Sequence, residues 1–285
     1  MIKTVGIVGL GLIGGSFAHV IKMRSDARIC GLDIDPVSLA HARRDGVIDE
    51  ILDIPVGLAE CDLLILALRP HDAAHWIGKH IEHTKKTCII FDVAGVKRYV
   101  SEHIGALCAR HGRRFVGAHP MAGFHEGGYG HASASLFEGA SFIVCKDDHT
   151  DQTAVDELCE FIKGLGFAQI VLTTAQNHDE MIAFTSQLAH IVSNAYIKDP
   201  DAKAHAGYSA GSFQDMTRVA ILDAEMWSEL FIENSDNLLK HLDTLINHLV
   251  QYREALDSHD DEMLRYLLQK GVDAKRATLK ASGEG

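Results

Sequence analysis

The sequence has no CxxC pair, no disulfide-dense stretch and no long hydrophobic run. Its six cysteines (Cys30, Cys61, Cys88, Cys108, Cys145, Cys159) stand 14 or more residues apart. That spacing excludes a small disulfide-stapled fold and reads as reduced, mostly buried thiols of a cytoplasmic protein. No apolar run reaches the roughly 18 residues needed to cross a bilayer. The N-terminus MIKTVGIVGLGLIGG leads into a glycine-rich turn instead of a small-residue cleavage site, so neither a membrane nor an export route is expected. Positive charge is also short. Lys and Arg total 27 against 39 Asp and Glu, and a net charge of −12 repels a phosphate backbone, which excludes nucleic acid as an expected partner. What is present is the composition of a folded protein, 47% hydrophobic and 23% charged over 285 residues. At roughly 100 to 200 residues per domain this length suits two domains.

Up to residue 174 short β-branched runs alternate with helical stretches: KTVGIVG (3–9), RICGLD (28–33), DLLILAL (62–68), TCIIFDV (87–93), RRFVGAH (113–119), SFIVCK (141–146) and AQIVLTT (168–174). Near-continuous apolar strands separated by helices indicate a mostly parallel sheet covered on both faces. The spacing therefore predicts an α/β, doubly wound Rossmann-type domain over residues 1–174, followed by an all-helical domain over 175–285, where the strand signal stops. Leu238, Leu242, Leu245, Leu249, Tyr252 and Leu256 recur at alternating steps of four and three. Such a seam either pairs with a second chain, giving a homodimer, or packs inside its own domain. A short polar tail, Ala281 to Gly285, reads as frayed.

The first strand runs into Gly9-Leu10-Gly11-Leu12-Ile13-Gly14 and a helix. In a dinucleotide fingerprint the first glycine makes the tight turn, the second lets backbone approach a pyrophosphate, and the third lets helix and strand pack closely, while the helix N-terminus offers its N–H groups to the anion. Asp33 closes the second strand about 20 residues on, where a carboxylate accepts from ribose hydroxyls and repels a 2′-phosphate. No Arg or Lys follows at Ile34 or Asp35. NAD is the expected cofactor.

The run Gly117-Ala118-His119-Pro120-Met121-Ala122-Gly123 ends another strand, and ligands sit outside the carboxyl ends of strands in open α/β sheets. With an ordinary pKa near ~6.5, His119 is suited to take a proton during alcohol oxidation. Two patterns suggest a metal instead: His119, His125 and His131 with Glu126 in one glycine-rich loop, and His71 with His75 at helical spacing. The second lacks the glutamate of a zincin motif, and no metal is expected.

GLGLIGGS at 9–16, His119 to Gly123, Leu136-Phe137-Glu138-Gly139, Ser186-Gln187-Leu188-Ala189-His190, and Ser212 to Arg218 followed by Met226-Trp227 resemble, in order, blocks of the prephenate and arogenate dehydrogenases of tyrosine biosynthesis. The resemblance covers nearly the whole chain and implies a Rossmann domain joined to a helical dimerisation domain. It implies that His119 is the catalytic histidine acting on the ring hydroxyl, that His190 is the second histidine of the substrate site, and that Arg218 holds the substrate's side-chain carboxylate. Taken alone, His190 on its apolar stretch reads as a core histidine, and Arg218 as a carboxylate clamp or a surface ion pair. The chain departs from the pattern at Gly95 in Asp92-Val93-Ala94-Gly95-Val96-Lys97, where relatives often carry serine, and backbone or Lys97 is expected to take over that substrate contact. Further departures fall at Gln187, Ala189 and Phe124-His125. The implied reaction is NAD-dependent oxidative decarboxylation of prephenate. The rivals are arogenate as substrate, another Rossmann-plus-helical dehydrogenase of β-hydroxyacid type, and an NAD-sensing protein without turnover.

Overall fold

The computed structural model describes residues 2–124, 126–148 and 150–282. His125, one of the histidines in the metal-site alternative, and the last three residues of the polar tail lie outside the described residues. The apolar runs become strands of an eight-stranded sheet: β1 (Thr4–Val8), β2 (Arg28–Leu32), β3 (Glu50–Ile51), β4 (Leu63–Leu66), β5 (Ile89–Asp92), β6 (Arg114–Pro120), β7 (Ser141–Cys145) and β8 (Gln169–Thr173). Their order is β3-β2-β1-β4-β5-β6-β7-β8. The chain first winds outward from β1 through β2 to β3 and then returns to β4 on the other side, so the switch of direction lies between β1 and β4. All pairings are parallel except β6 with β7. The sequence pattern missed β3, an edge strand of two exposed residues, and it carried no mark of the reversed β7.

Both faces of the sheet are covered, which is why the central strands read as unbroken apolar runs. Ile65, Ile89 and Phe91 pack on one side with Phe17, Phe137 and Phe142. Leu64, Leu66 and Ile90 pack on the other with Ile77, Ile81 and Ile104. Successive strand residues point to opposite faces, so a strand buried on both sides has no polar alternation to show.

After β8 the chain is helical. Helices Ala175–Ile182 and Leu188–Tyr196 are joined through a π-helical turn at Ala183–Gln187, and helices Gly211–Thr217 and Ala224–Glu233 follow. These elements belong to the same compact unit as the sheet, which extends through Ser235. The second unit starts at Asp236 and consists of most of helix Ser235–Asp257 and helix Asp261–Ser282. Along the leucine seam Leu238 is buried, whereas Leu249 and Leu256 are 57% and 62% exposed. Among the described residues no helix is long and apolar enough to cross a membrane.

Candidate active site

β1 ends in Gly9, whose φ of +90° favours glycine. A Cβ there would lie 2.3 Å from the Ala67 carbonyl oxygen, and one at Gly14 would lie 1.9 Å from the Gly9 oxygen. Both positions therefore need glycine for the turn to close on helix α1 (Leu12–Arg24). Gly11 serves differently. Nothing lies within 4 Å of its Cβ position, so its missing side chain leaves open space before the α1 N-terminus. No side chain caps that terminus. Leu12 and Ile13 open the helix, and their first-turn N–H groups have no partner within it. These features fit a pyrophosphate cradle.

Asp33 stands one residue beyond β2. Its Oδ2 accepts from Leu10 N at 2.5 Å and its Oδ1 from Asp35 N at 2.8 Å, which fixes the carboxylate beside the glycine turn. A carboxylate has about four acceptor positions, so capacity remains for ribose hydroxyls. Asp35 is engaged otherwise. It caps helix α2 (Pro36–Arg44), accepting from the Ser38 hydroxyl at 2.6 Å and from the Val37 and Ser38 amides, and these bonds hold its carboxyl below the ordinary value.

His119 lies at the carboxyl end of β6, half-buried, with Nδ1 2.9 Å from Nε2 of His178. His178 Nδ1 is 2.7 Å from Asp179 Oδ1. Asp179 also accepts from Lys97 N at 2.8 Å and Arg98 N at 2.9 Å, and its Oδ2 is 3.3 Å from Arg98 Nε. Asn234 donates to the Asp179 carbonyl at 2.8 Å and to Gln187 Oε1 at 2.9 Å, which ties the helices after β8 to this cluster. Burial, reinforced by the neighbouring His178 and the Lys97 charge, holds the His119 imidazole well below its ordinary pKa. His178 is also lowered by burial, although its bond to Asp179 opposes the shift. Burial opposes ionisation of Asp179, yet the bonds from His178 and from the Arg98 and Lys97 amides keep its carboxyl below the ordinary value. His119 is therefore a neutral imidazole at neutral pH, and Asp179 is a carboxylate.

His190 and Arg218 form a second pair. His190 donates from Nδ1 to the Ser186 carbonyl at 2.8 Å, which leaves Nε2 as an acceptor, and its ring lies 4.0 Å from that of Trp227. Burial lowers its pKa, the bond to Ser186 opposes this, and the Arg218 charge adds to the lowering. Arg218 is the C-cap of helix Gly211–Thr217 and is exposed. It makes no ion pair with a carboxylate among the described residues.

Lys97 departs from the expectation that it contacts substrate. Its side chain is 1% exposed, and its ammonium bonds Asp92, which is fully buried at the end of β5 and also accepts from Ala94 N and Ala118 N. A buried ammonium without a carboxylate would pay a large desolvation cost, so the nearest carboxylate takes it. What Lys97 gives the site is its amide to Asp179 and its charge near His119. The departure at Gln187 also has a structural account, whereas nothing among the described residues requires glycine at position 95. A Cβ at Gly95 would lie 3.4 Å from a Leu230 methyl, so Leu230 borders that space. Gln187 is buried and donates to the Leu230 carbonyl at 3.1 Å. Phe124 is 60% exposed. No group of three or more His, Cys, Asp or Glu side chains placed to hold a metal occurs among the described residues.

The sequence reading missed His178, Asp179, Asn234 and Asp92. The available signal was an adjacent His-Asp pair on the first helix after the last strand.

Comparison with known proteins identifies relatives over nearly the whole chain. The model for "Prephenate dehydrogenase, nucleotide-binding domain" matches residues 17–172, and that for "Prephenate dehydrogenase, dimerization domain" matches residues 174–270. The prephenate dehydrogenase of Bacillus subtilis (strain 168) is 31% identical over 274 residues, covering 93% of this chain and 73% of that protein. The crystal structure of prephenate dehydrogenase from A. aeolicus in complex with hydroxyphenyl propionate and NAD+ aligns with a TM-score of 0.82 at 26% identity, over 98% of this chain and 99% of that one. Synechocystis arogenate dehydrogenase aligns with a TM-score of 0.78 at 28% identity, over 96% and 100%.

Proposed function

The chain belongs to the prephenate dehydrogenase family, and from that membership we propose that it catalyses NAD-dependent oxidative decarboxylation of prephenate to 4-hydroxyphenylpyruvate in tyrosine biosynthesis, with His119 as the base. In this reading residues 1–174 hold the dinucleotide through Gly9, Gly11, Leu12, Ile13, Gly14 and Asp33. Residues 175–285 supply His190, Arg218 and the contact between subunits. The observation that carries the reading is an imidazole at the carboxyl end of β6 that burial keeps neutral, tied through Nδ1 to His178 and with no hydrogen-bond partner at Nε2 among the described residues.

When bound, NAD supplies the hydride acceptor. His119 Nε2 takes the proton of the ring hydroxyl and holds it while hydride leaves the hydroxyl-bearing carbon. As the ring carboxylate departs as carbon dioxide the ring becomes aromatic, and His119 returns the proton to the phenolic oxygen. Arg218 grips the side-chain carboxylate, and His190 offers a bare Nε2 to the bound substrate. The departing carboxylate needs no strong partner, because a group that binds it tightly stabilises the ground state more than the transition state.

Arogenate, with an amino group in place of the side-chain keto group, is the second reading, favoured by the likeness to the Synechocystis enzyme. A steady-state assay of both substrates with NAD and with NADP decides. The expected result is the highest kcat/KM for prephenate with NAD. Better use of arogenate selects the second reading, and no NADH from either substrate selects a binding protein without turnover. NAD is expected to outperform NADP because the Asp33 carboxylate faces the position of the added phosphate. Equal efficiency with NADP removes that role from Asp33.

The exposed leucines of helix Ser235–Asp257 support a homodimer. Light scattering at micromolar protein is expected to give twice 31.2 kDa; a monomer mass returns the seam to packing within its own chain. The free cysteines, all but Cys159 buried, suit a reducing cytoplasm.

A further inference from the structure

We propose that His178 and Asp179 are positioning residues that hold His119 in the one tautomer able to act as a base. The inference rests on His119 as the base of the proposed reaction. Asp179 is fully buried and ionised, and it can only accept, so His178 Nδ1 must donate to it across 2.7 Å. His178 is also fully buried, and burial disfavours a second proton on its ring. Its Nε2 is therefore a bare acceptor. The 2.9 Å contact then requires His119 Nδ1 to donate, which leaves the lone pair of His119 on Nε2, open to a substrate hydroxyl.

The chain is anchored at its far end by the Lys97 and Arg98 amides and the Arg98 guanidinium, all on Asp179, and by Asn234 on the Asp179 carbonyl. The charged groups around it are Lys97 with Asp92 and Arg98 with Asp179. The proton taken by His119 stays on His119 and returns to the product oxygen, so none passes along the chain. What the chain supplies is orientation, tautomer and a fixed carboxylate to balance the transient imidazolium, the logic of an acid-oriented histidine in other catalytic groups.

The test uses the 15N-labelled full-length chain, with His119→Asn identifying the His119 signals. In the parent, Nδ1 of His119 is expected to be protonated and Nε2 bare. In Asp179→Asn the side-chain amide donates to His178 Nδ1, which moves the His178 proton to Nε2 and the His119 proton to Nε2. The tautomer should reverse, and kcat should fall at least about 10²-fold with KM values for NAD and prephenate within a few-fold. Should that variant fail to fold, a second pair decides. His178→Gln turns a carbonyl toward His119 and an amide toward Asp179, so it should keep the tautomer and hold kcat within about tenfold, whereas His178→Leu should lose about 10²-fold. A purely structural role would make both variants follow their loss of thermal stability. The proposal is overturned by a parent His119 protonated on Nε2, by an Asp179→Asn chain with unchanged tautomer and kcat, or by equal kcat in the Gln and Leu variants. A parent that turns over neither prephenate nor arogenate would sink the functional reading alone, because the NMR arm still reports the tautomer.

Discussion

Replacing His119 by asparagine is expected to lower kcat by about 10²- to 10⁴-fold, the usual worth of general acid-base catalysis, with NAD affinity unchanged. The asparagine amide can still donate to His178 Nε2, so the buried chain behind it keeps its partner. What is lost is the lone pair facing the substrate hydroxyl. The pH profile of the parent carries the same signature. His119 must be neutral to accept a proton, and burial, His178 and Lys97 hold its pKa well below 6.5. Catalysis should therefore persist as pH falls through 6.5 and be lost only where His119 itself becomes protonated. A variant that kept kcat within a few-fold of the parent would move the base elsewhere. His190, whose Nε2 is left as an acceptor by the bond to Ser186, would then be the residue to test.

The sheet and the glycine turn were legible in the sequence because their physical demands fall on single residues. A strand buried on both faces must be apolar along its core, as β4 is throughout and β5 is up to its last residue, Asp92. A turn with φ of +90° at Gly9, or with a carbonyl 1.9 Å from a would-be Cβ at Gly14, admits little besides glycine. β3 left no such trace, because Glu50 and Ile51 are both exposed and carry only backbone pairing. Strand direction is set by what the chain does between strands, so β7 looks like its parallel neighbours.

The same distinction divides the site. His119 could be found because a histidine at a strand's carboxyl end is where ligands meet an α/β sheet. His178 and Asp179 read as ordinary polar residues of a helix, and only the packing of helix Ala175–Ile182 against the Lys97–Arg98 backbone buries both. Lys97 was visible as a cation near the site. Which carboxylate it meets depends on how the segment after β5 turns back, and that turn brings its ammonium to Asp92, five residues earlier, in the interior.

Arg218→Gln is expected to raise KM for prephenate by about 10- to 100-fold, with KM for NAD unchanged and kcat altered only a few-fold. The loss of a charge-assisted bond to a carboxylate is worth roughly 1.5 to 3 kcal/mol, and tenfold in an equilibrium constant corresponds to about 1.4 kcal/mol. The structure favours a ligand role because Arg218 is exposed and without a carboxylate partner among the described residues, yet close enough to His190 for its charge to lower that imidazole's pKa. A guanidinium presents two parallel donors to a carboxylate, whereas an ammonium presents a point charge. Arg218→Lys should therefore fall between parent and glutamine, and its deficit should grow with added salt, because an exposed charge pair is screened. The clamp would act on the side-chain carboxylate common to prephenate and arogenate, so the rise in KM should be similar for both. A rise confined to one of them would mean that Arg218 reads the keto or amino group instead, and an unchanged KM for both would mean that the carboxylate is held elsewhere.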